Sequence, residues 1–192
     1  MMELTSAEAL NMLEQFRDSD KDTHWIDHSI CVGDSAAKIA EALNLDPEKA
    51  RVLGYMHDIG KGVGDFSDHI MNGYKYMKEL GYDDEYANIC LTHSYLNNDV
   101  TCTAGVPRDI PFRTEFVKNH DCTIYEKIVK LCDLMCKETN MTMEKRLIDL
   151  IERYGVHYNT VYHVTEAQKL KKEFDGMLGY NVYKLFPNVL DN

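Results

Sequence analysis

The chain has 192 residues, of which 44% are apolar and 28% charged, values that suit one domain able to bury a real core and exclude a disordered chain. A formal net charge of −11 excludes a broad nucleic-acid groove, because tracking a phosphate strand needs clustered Lys and Arg. A small phosphorylated ligand is still allowed, since bound cations and a few local basic residues can balance its charge.

No stretch approaches the roughly 18 apolar residues of a membrane helix, and Met1-Met2-Glu3-Leu4-Thr5 begins no basic-then-apolar leader. A soluble cytoplasmic protein is expected. The cysteines Cys31, Cys90, Cys102, Cys122, Cys132 and Cys136 show no close-spaced pair of pairs and are read as reduced thiols. Cys132 and Cys136 stand at helical i, i+4 spacing, but without a second pair they read as small apolar packers.

Helical periodicity dominates, and alternating strand patterns are hard to find. Thr5-Ser6-Ala7-Glu8 reads as a capping box opening a first helix with Ala9, Leu10, Leu13 and Phe16 inward. A second helix is expected from about Thr23 to Leu43, where Ile26, Ile30, Gly33, Ala37 and Ala40 form a stripe whose small residues permit close packing. Asp46-Pro47-Glu48 is a cap with proline at the first helical position, and the third helix it starts should end near Gly60. A fourth helix is expected over Ser67–Leu80, stopped by Gly81, and a fifth over Asp83–His93.

From Ser94 to about Cys122 the pattern fails, with Asn97-Asn98-Asp99, Gly105, Pro107 and Pro111 read as breakers of an irregular excursion. Either a functional loop beside the site or a passive surface loop fits this segment. Helix returns over Ile124–Thr139, Met143–Tyr154 and Val164–Leu178, and Tyr180 to Pro187 closes as one apolar turn. The expectation is an all-α, single compact domain of about 7–9 helices over residues 1–192, with a metal-site core at about 20–140 and C-terminal helices 141–192 packed on it.

The dipeptide His57-Asp58 offers an imidazole and a carboxylate from one point of the backbone. Asp58 follows an apolar stretch and Asp133 lies within Ile128-Val129-Lys130-Leu131-Cys132-Asp133, where a carboxylate is costly to bury without a cation. With His28 in the second helix, these residues make a set of two histidines and two carboxylates suited to a first-row divalent ion. His69 and His93 decide whether a second ion is present. Exposed histidines on amphipathic helices are the competing reading; if both point inward, Asp58 would bridge two metals.

The ordered set His28, His57-Asp58, His69, His93, Asp133 resembles the metal-binding pattern of the HD superfamily of phosphohydrolases. The string His57-Asp58-Ile59-Gly60-Lys61 is similar to those of its dinuclear subgroup, which includes small bacterial dinucleoside-polyphosphate hydrolases and cyclic-dinucleotide phosphodiesterases. The resemblance implies an HD-type helical fold and hydrolysis of a phosphate ester or anhydride of a nucleotide or other small phosphorylated metabolite through a metal-activated water. The Tyr-Pro after a Gly seen in cyclic-dinucleotide enzymes and the synthetase features of stringent-response enzymes are missing, which moves those substrates down the list.

Histidine-rich ligation fits one or two ions of iron, manganese, cobalt or zinc better than magnesium. Asp58 and Lys61 are the candidate catalytic residues. Lys61 would touch a phosphate oxygen, with a solvated surface lysine as the equal alternative, and Arg108 and Arg113 would help bind an anionic substrate. His24 is read as surface or as a support for His28, while His120, His157 and His163 lack a ligand context. Two other functions use the same residues: a diiron oxygenase acting on a small organic substrate, and a nucleotide- or metal-binding module without turnover. A membrane partner and an extended nucleic acid are not expected.

Overall fold

The computed structural model describes residues 3–19 and 22–190. The expected domain limits at 20 and 192, and the start at Met1-Met2, fall on residues outside that range. Among the described residues the α-helices are α1 (Ser6–Glu14), α2 (His24–Ala42), α3 (Pro47–Met56), the single turn α4 (Gly60–Val63), α5 (His69–Glu79), α6 (Asp84–Thr92), α7 (Pro111–Asn119), α8 (Ile124–Asp133), α9 (Met143–Tyr154) and α10 (Thr160–Leu178). Short 3-10 turns cover Phe66–Asp68 and Val182–Leu185. Apart from the single turn, that makes nine helices, the upper end of the expected number, and no extended strand is present among the described residues.

Local chemistry sets most boundaries. The Thr5 hydroxyl accepts from the Glu8 amide at 3.3 Å and the Glu8 carboxylate accepts from the Thr5 amide at 2.9 Å, the reciprocal pair expected from the sequence. Thr123 and Glu126 repeat the motif at the start of α8. Asp46 accepts from the amides of Glu48 and Lys49, ahead of Pro47.

The densest packing joins α2 to α3. A Cβ on Gly33 would sit 2.7 Å from the Arg51 carbonyl oxygen, and one on Gly54 would sit 2.7 Å from the Gly33 nitrogen, so the two backbones cross where neither carries a side chain. Ile26, Ile39, Leu53, Met56, Ile89 and Ile128 are fully buried in the core that this crossing anchors. The C-terminal turn joins it: Val182 and Phe186 are buried, and the buried Tyr183 hydroxyl accepts from the Met143 amide at 2.8 Å and donates to Glu144 at 2.6 Å.

Four expectations need correction. The third helix stops at Met56, not near Gly60: the chain turns through His57-Asp58-Ile59, and Gly60 passes so tightly over the His69 carbonyl that no side chain fits. The excursion after Ser94 contains α7. Pro111 opens that helix because its first amide has no intrahelical partner to lose. The helix expected to reach Thr139 ends at Asp133, where the chain folds into a turn bridged between Cys136 and Asn140. The last long helix starts at Thr160, one turn before Val164.

Candidate metal centre

Residues far apart in the sequence meet at one end of the core. His28 comes from the second turn of α2, His57 and Asp58 from the turn after α3, His69 from the first residue of α5, His93 from the cap of α6, and Asp133 from the last residue of α8. His28, His57, Asp58 and His93 are buried; His69 and Asp133 keep side-chain exposures of 20% and 23%, enough to face a cavity. Both His69 and His93 thus point inward, against the exposed alternative.

The imidazoles are held alike. Nδ1 of His28 lies 3.1 Å from the Lys137 carbonyl, that of His57 2.6 Å from Gly54, that of His69 2.8 Å from Phe66, and that of His93 3.1 Å from both Ile89 and Cys90. A carbonyl oxygen can only accept, so each Nδ1 carries the hydrogen and donates. In the neutral ring Nε2 is then left with its lone pair.

Those Nε2 atoms converge on carboxylate oxygens. His28 lies 3.1 Å from Asp133 Oδ1 and 3.8 Å from Asp58 Oδ2, and His57 lies 3.4 Å from Asp58 Oδ2. His69 and His93 face the other oxygen, Asp58 Oδ1, at 3.4 and 3.5 Å. Asp58 therefore turns one oxygen toward each pair of rings. Donor atoms of His28, His57 and Asp133 fall within 4.8 Å of one another, as do those of His57, Asp58 and His93.

Charging the rings does not resolve this crowding. Burial lowers the pKa of His28 and takes that of His69 down to about 4, against the pull of nearby carboxylates, so both are neutral at pH 7. His57 alone among these three is raised: burial opposes its charge, and Asp58 outweighs it. Burial also works against ionised Asp58 and Asp133, yet both carboxyls are held below their usual range, that of Asp58 chiefly by the Lys61 ammonium. His57 Nε2 and Asp58 Oδ1 are buried with no hydrogen-bond partner among the described residues. Ionised carboxylates facing lone-pair nitrogens, with orphaned buried atoms between them, are what a cation site requires, so the residues fit a divalent metal.

A cavity of about 640 Å³ opens beside the cluster. Lys61 lies on its wall with its ammonium bonded to the buried Asp58 carboxylate, so it is not the solvated surface lysine of the alternative reading. Arg108 stands at the rim, paired with Asp68 at 3.0 Å. Arg113 is buried, its guanidinium over the Tyr95 ring and donating to the Arg108 carbonyl at 2.6 Å. His24 pairs with Glu138 at the exposed rim, His120 with Glu126, and His157 with the Tyr154 carbonyl.

Three residues that the sequence left aside also line the cavity: Lys130 of α8, Arg146 of α9 and His163 of α10, all buried. Burial takes His163 down to about 4. Lys130 carried a readable signal, a charge inside an apolar run three residues before Asp133 and therefore on the same helix face. Arg146 and His163 carried none.

The family model described as the HD domain matches residues 25–138, more than half of the chain. The chain belongs to the HD domain family. Ribonuclease Y of Malacoplasma penetrans (strain HF-2) is 41% identical over 61 residues, 30% of this chain and 13% of that protein. Ribonuclease Y of Ureaplasma parvum serovar 3 (strain ATCC 27815 / 27 / NCTC 11736) is 37% identical over 71 residues, 35% of this chain and 15% of that protein. The chain thus spans a small part of the length of these relatives. Among solved structures, the HD domain of the Listeria monocytogenes phosphodiesterase PgpH aligns with a TM-score of 0.48 at 14% identity, covering 88% of this chain and 98% of that one. An HD superfamily hydrolase from an uncultured Thermotogales bacterium aligns with a TM-score of 0.44 at 18% identity, covering 90% and 91%. No helix among the described residues is long and apolar enough to cross a membrane.

Proposed function

We propose that the chain hydrolyses a phosphate ester or anhydride of a nucleotide or other small phosphorylated metabolite, using one or two divalent cations held by His28, His57, Asp58, His69, His93 and Asp133. The observation that carries this reading is the convergence of carbonyl-anchored imidazoles, Nε2 first, on Asp58 and Asp133. The division of the Asp58 oxygens between two pairs of rings supports two ions with Asp58 as the bridge. Iron, manganese, cobalt or zinc suit such donors better than magnesium. When bound, such ions polarise phosphoryl oxygens and lower the pKa of water.

The protein's own groups do the rest. Each carbonyl anchor fixes the tautomer and tilt of its ring, which keeps Nε2 available at neutral pH. The Lys61 ammonium offsets charge on Asp58 and stands at the cavity, where it would pair with a phosphate oxygen. Arg113 holds the backbone of Arg108, whose guanidinium would meet an anion entering at the rim.

A cavity of this size in a chain of net charge −11 favours a small nucleotide over a long strand. Because the relatives named ribonuclease Y act on RNA by name, and a PgpH domain was solved with cyclic-di-AMP, both belong in the substrate panel. The test joins metal analysis to a screen of mononucleotides, dinucleotides, dinucleoside polyphosphates, sugar phosphates, cyclic-di-AMP and short RNA, run beside Asp58→Ala. Phosphate or nucleotide release that disappears in Asp58→Ala is expected; turnover at the full rate in that variant would sink the reading.

A further inference from the structure

We propose that the cavity contains a second anion subsite, built by Lys130, Arg146 and His163 of its wall, which takes another phosphate group of the same substrate. This rests on the hydrolase reading above and narrows it to substrates with at least two phosphate groups, such as 5′-phosphorylated dinucleotides or nucleoside polyphosphates.

Lys130 makes the first case. It is 4% exposed and on the cavity wall, and among the described residues the hydrogen-bond partner of its ammonium is the Cys122 sulfur, at 3.3 Å. Burial pushes the Cys122 thiol up, so that sulfur is a neutral, weak acceptor that leaves the charge uncompensated. Among the described residues no carboxylate lies within 4.0 Å of Lys130. A buried ammonium without an anion is costly, and an anionic ligand in the cavity supplies the missing partner.

Arg146 makes the second. It is 7% exposed, and its Nε donates to the Asp133 carbonyl at 3.4 Å, which sets the guanidinium against a residue of the metal cluster. Its carboxylate partner is Asp149, at 2.6 Å, but Asp149 also holds Arg153 at 2.9 Å and Lys137 at 3.3 Å. Three cations share one carboxylate, so this wall carries surplus positive charge although the chain as a whole is acidic. His163, also buried, lines the same cavity. Buried cations on a wall with room for a nucleotide make a recognition site for an anion, placed beside the reacting centre.

The experiment has a binding arm and a turnover arm. Inorganic phosphate is titrated by calorimetry into the metal-free protein, where the carboxylates of the metal cluster repel it and the second subsite is the place left to bind. Lys130→Met should weaken that binding about tenfold or more, and Lys130→Arg should largely keep it. Lys130→Met should also melt no lower than the parent, because it removes an unpaired buried charge. With metal supplied, KM for a 5′-phosphorylated dinucleotide should rise by a similar factor in Lys130→Met, while KM for the same dinucleotide lacking the 5′-phosphate stays within about twofold. Unchanged phosphate affinity, or a lower melting temperature, in Lys130→Met would overturn the subsite. Phosphate binding that depends on Lys130 in a protein that hydrolyses nothing with any divalent ion would instead overturn the hydrolase reading and leave the subsite standing.

Discussion

Nε2 of His28 lies 3.1 Å from Oδ1 of Asp133, joining the second turn of α2 to the end of α8. The same ring is held from behind by the carbonyl of Lys137, in the turn that follows Asp133, so one short segment both faces the imidazole and aims it.

If that pairing is a place for a cation, metal must stabilise the fold. Adding manganese or zinc to chelator-treated protein should raise Tm, by the equivalent of about 2.7 kcal/mol at a hundredfold excess over Kd. In Asp133→Asn most of that rise should be missing. Differential scanning fluorimetry with and without chelator measures both, and identical curves for parent and variant would contradict the assignment of Asp133 as a ligand.

Acid should loosen the metal-free protein earlier than its carboxylates alone predict. His163 is neutral in the fold, with its pKa lowered by burial from 6.5 to about 4. Between those values the unfolded chain binds a proton that the folded chain refuses. Its contribution is therefore complete above pH 6.5 and lost as pH falls toward 4, about 3 kcal/mol in all. Urea titrations of the parent and His163→Gln across this window should show a shallower pH slope in the variant.

Asn159 is buried at the start of α10, and its amide nitrogen donates to the carbonyls of Thr101, Thr103 and Gly105 at 3.0, 2.8 and 3.0 Å. Thr103, Ala104 and Gly105 form part of the cavity wall. Asn159→Ala frees that loop without touching the metal cluster. A rise in KM of severalfold with unchanged metal content is expected, together with a stability loss of about 1–3 kcal/mol. Inductively coupled plasma analysis beside steady-state kinetics separates this outcome from damage to the metal site.

Glu126 is 4% exposed and accepts from the Thr123 amide, the Thr92 hydroxyl and His120 at 2.8, 2.8 and 2.8 Å. It closes the cap of α8 and ties it to the residue before His93. Glu126→Gln should cost about 2–3 kcal/mol by thermal or urea unfolding, since an amide cannot accept all of these bonds. An unfolding curve matching the parent would show the network to be dispensable.

The cluster was legible because its chemistry conflicts with its local surroundings: Asp58 and Asp133 interrupt apolar runs, where a carboxylate is costly to bury alone. Helix existence was legible from apolar spacing and caps, as at Thr5, Asp46 and Thr123. What failed was context. Pro111 looks the same in sequence whether it starts a helix or breaks one, and only its position at the first turn decides. The end of α8 at Asp133 depends on a turn bridged between Cys136 and Asn140 that no local pattern announces. Arg146 and His163 reach the cavity through the packing of α9 and α10, which apolar periodicity does not orient toward a site.

The crossing of α2 and α3 at Gly33 and Gly54 lies five residues after His28 and three before His57. The nearest atoms facing Gly54 are all backbone, of Val32 and Gly33, so none of them can rotate aside to absorb a displacement. Gly54→Ala should therefore act at a distance, prying apart the His28 and His57 rings, whose centroids are 5.2 Å apart, and trading metal affinity for the width of one methyl group.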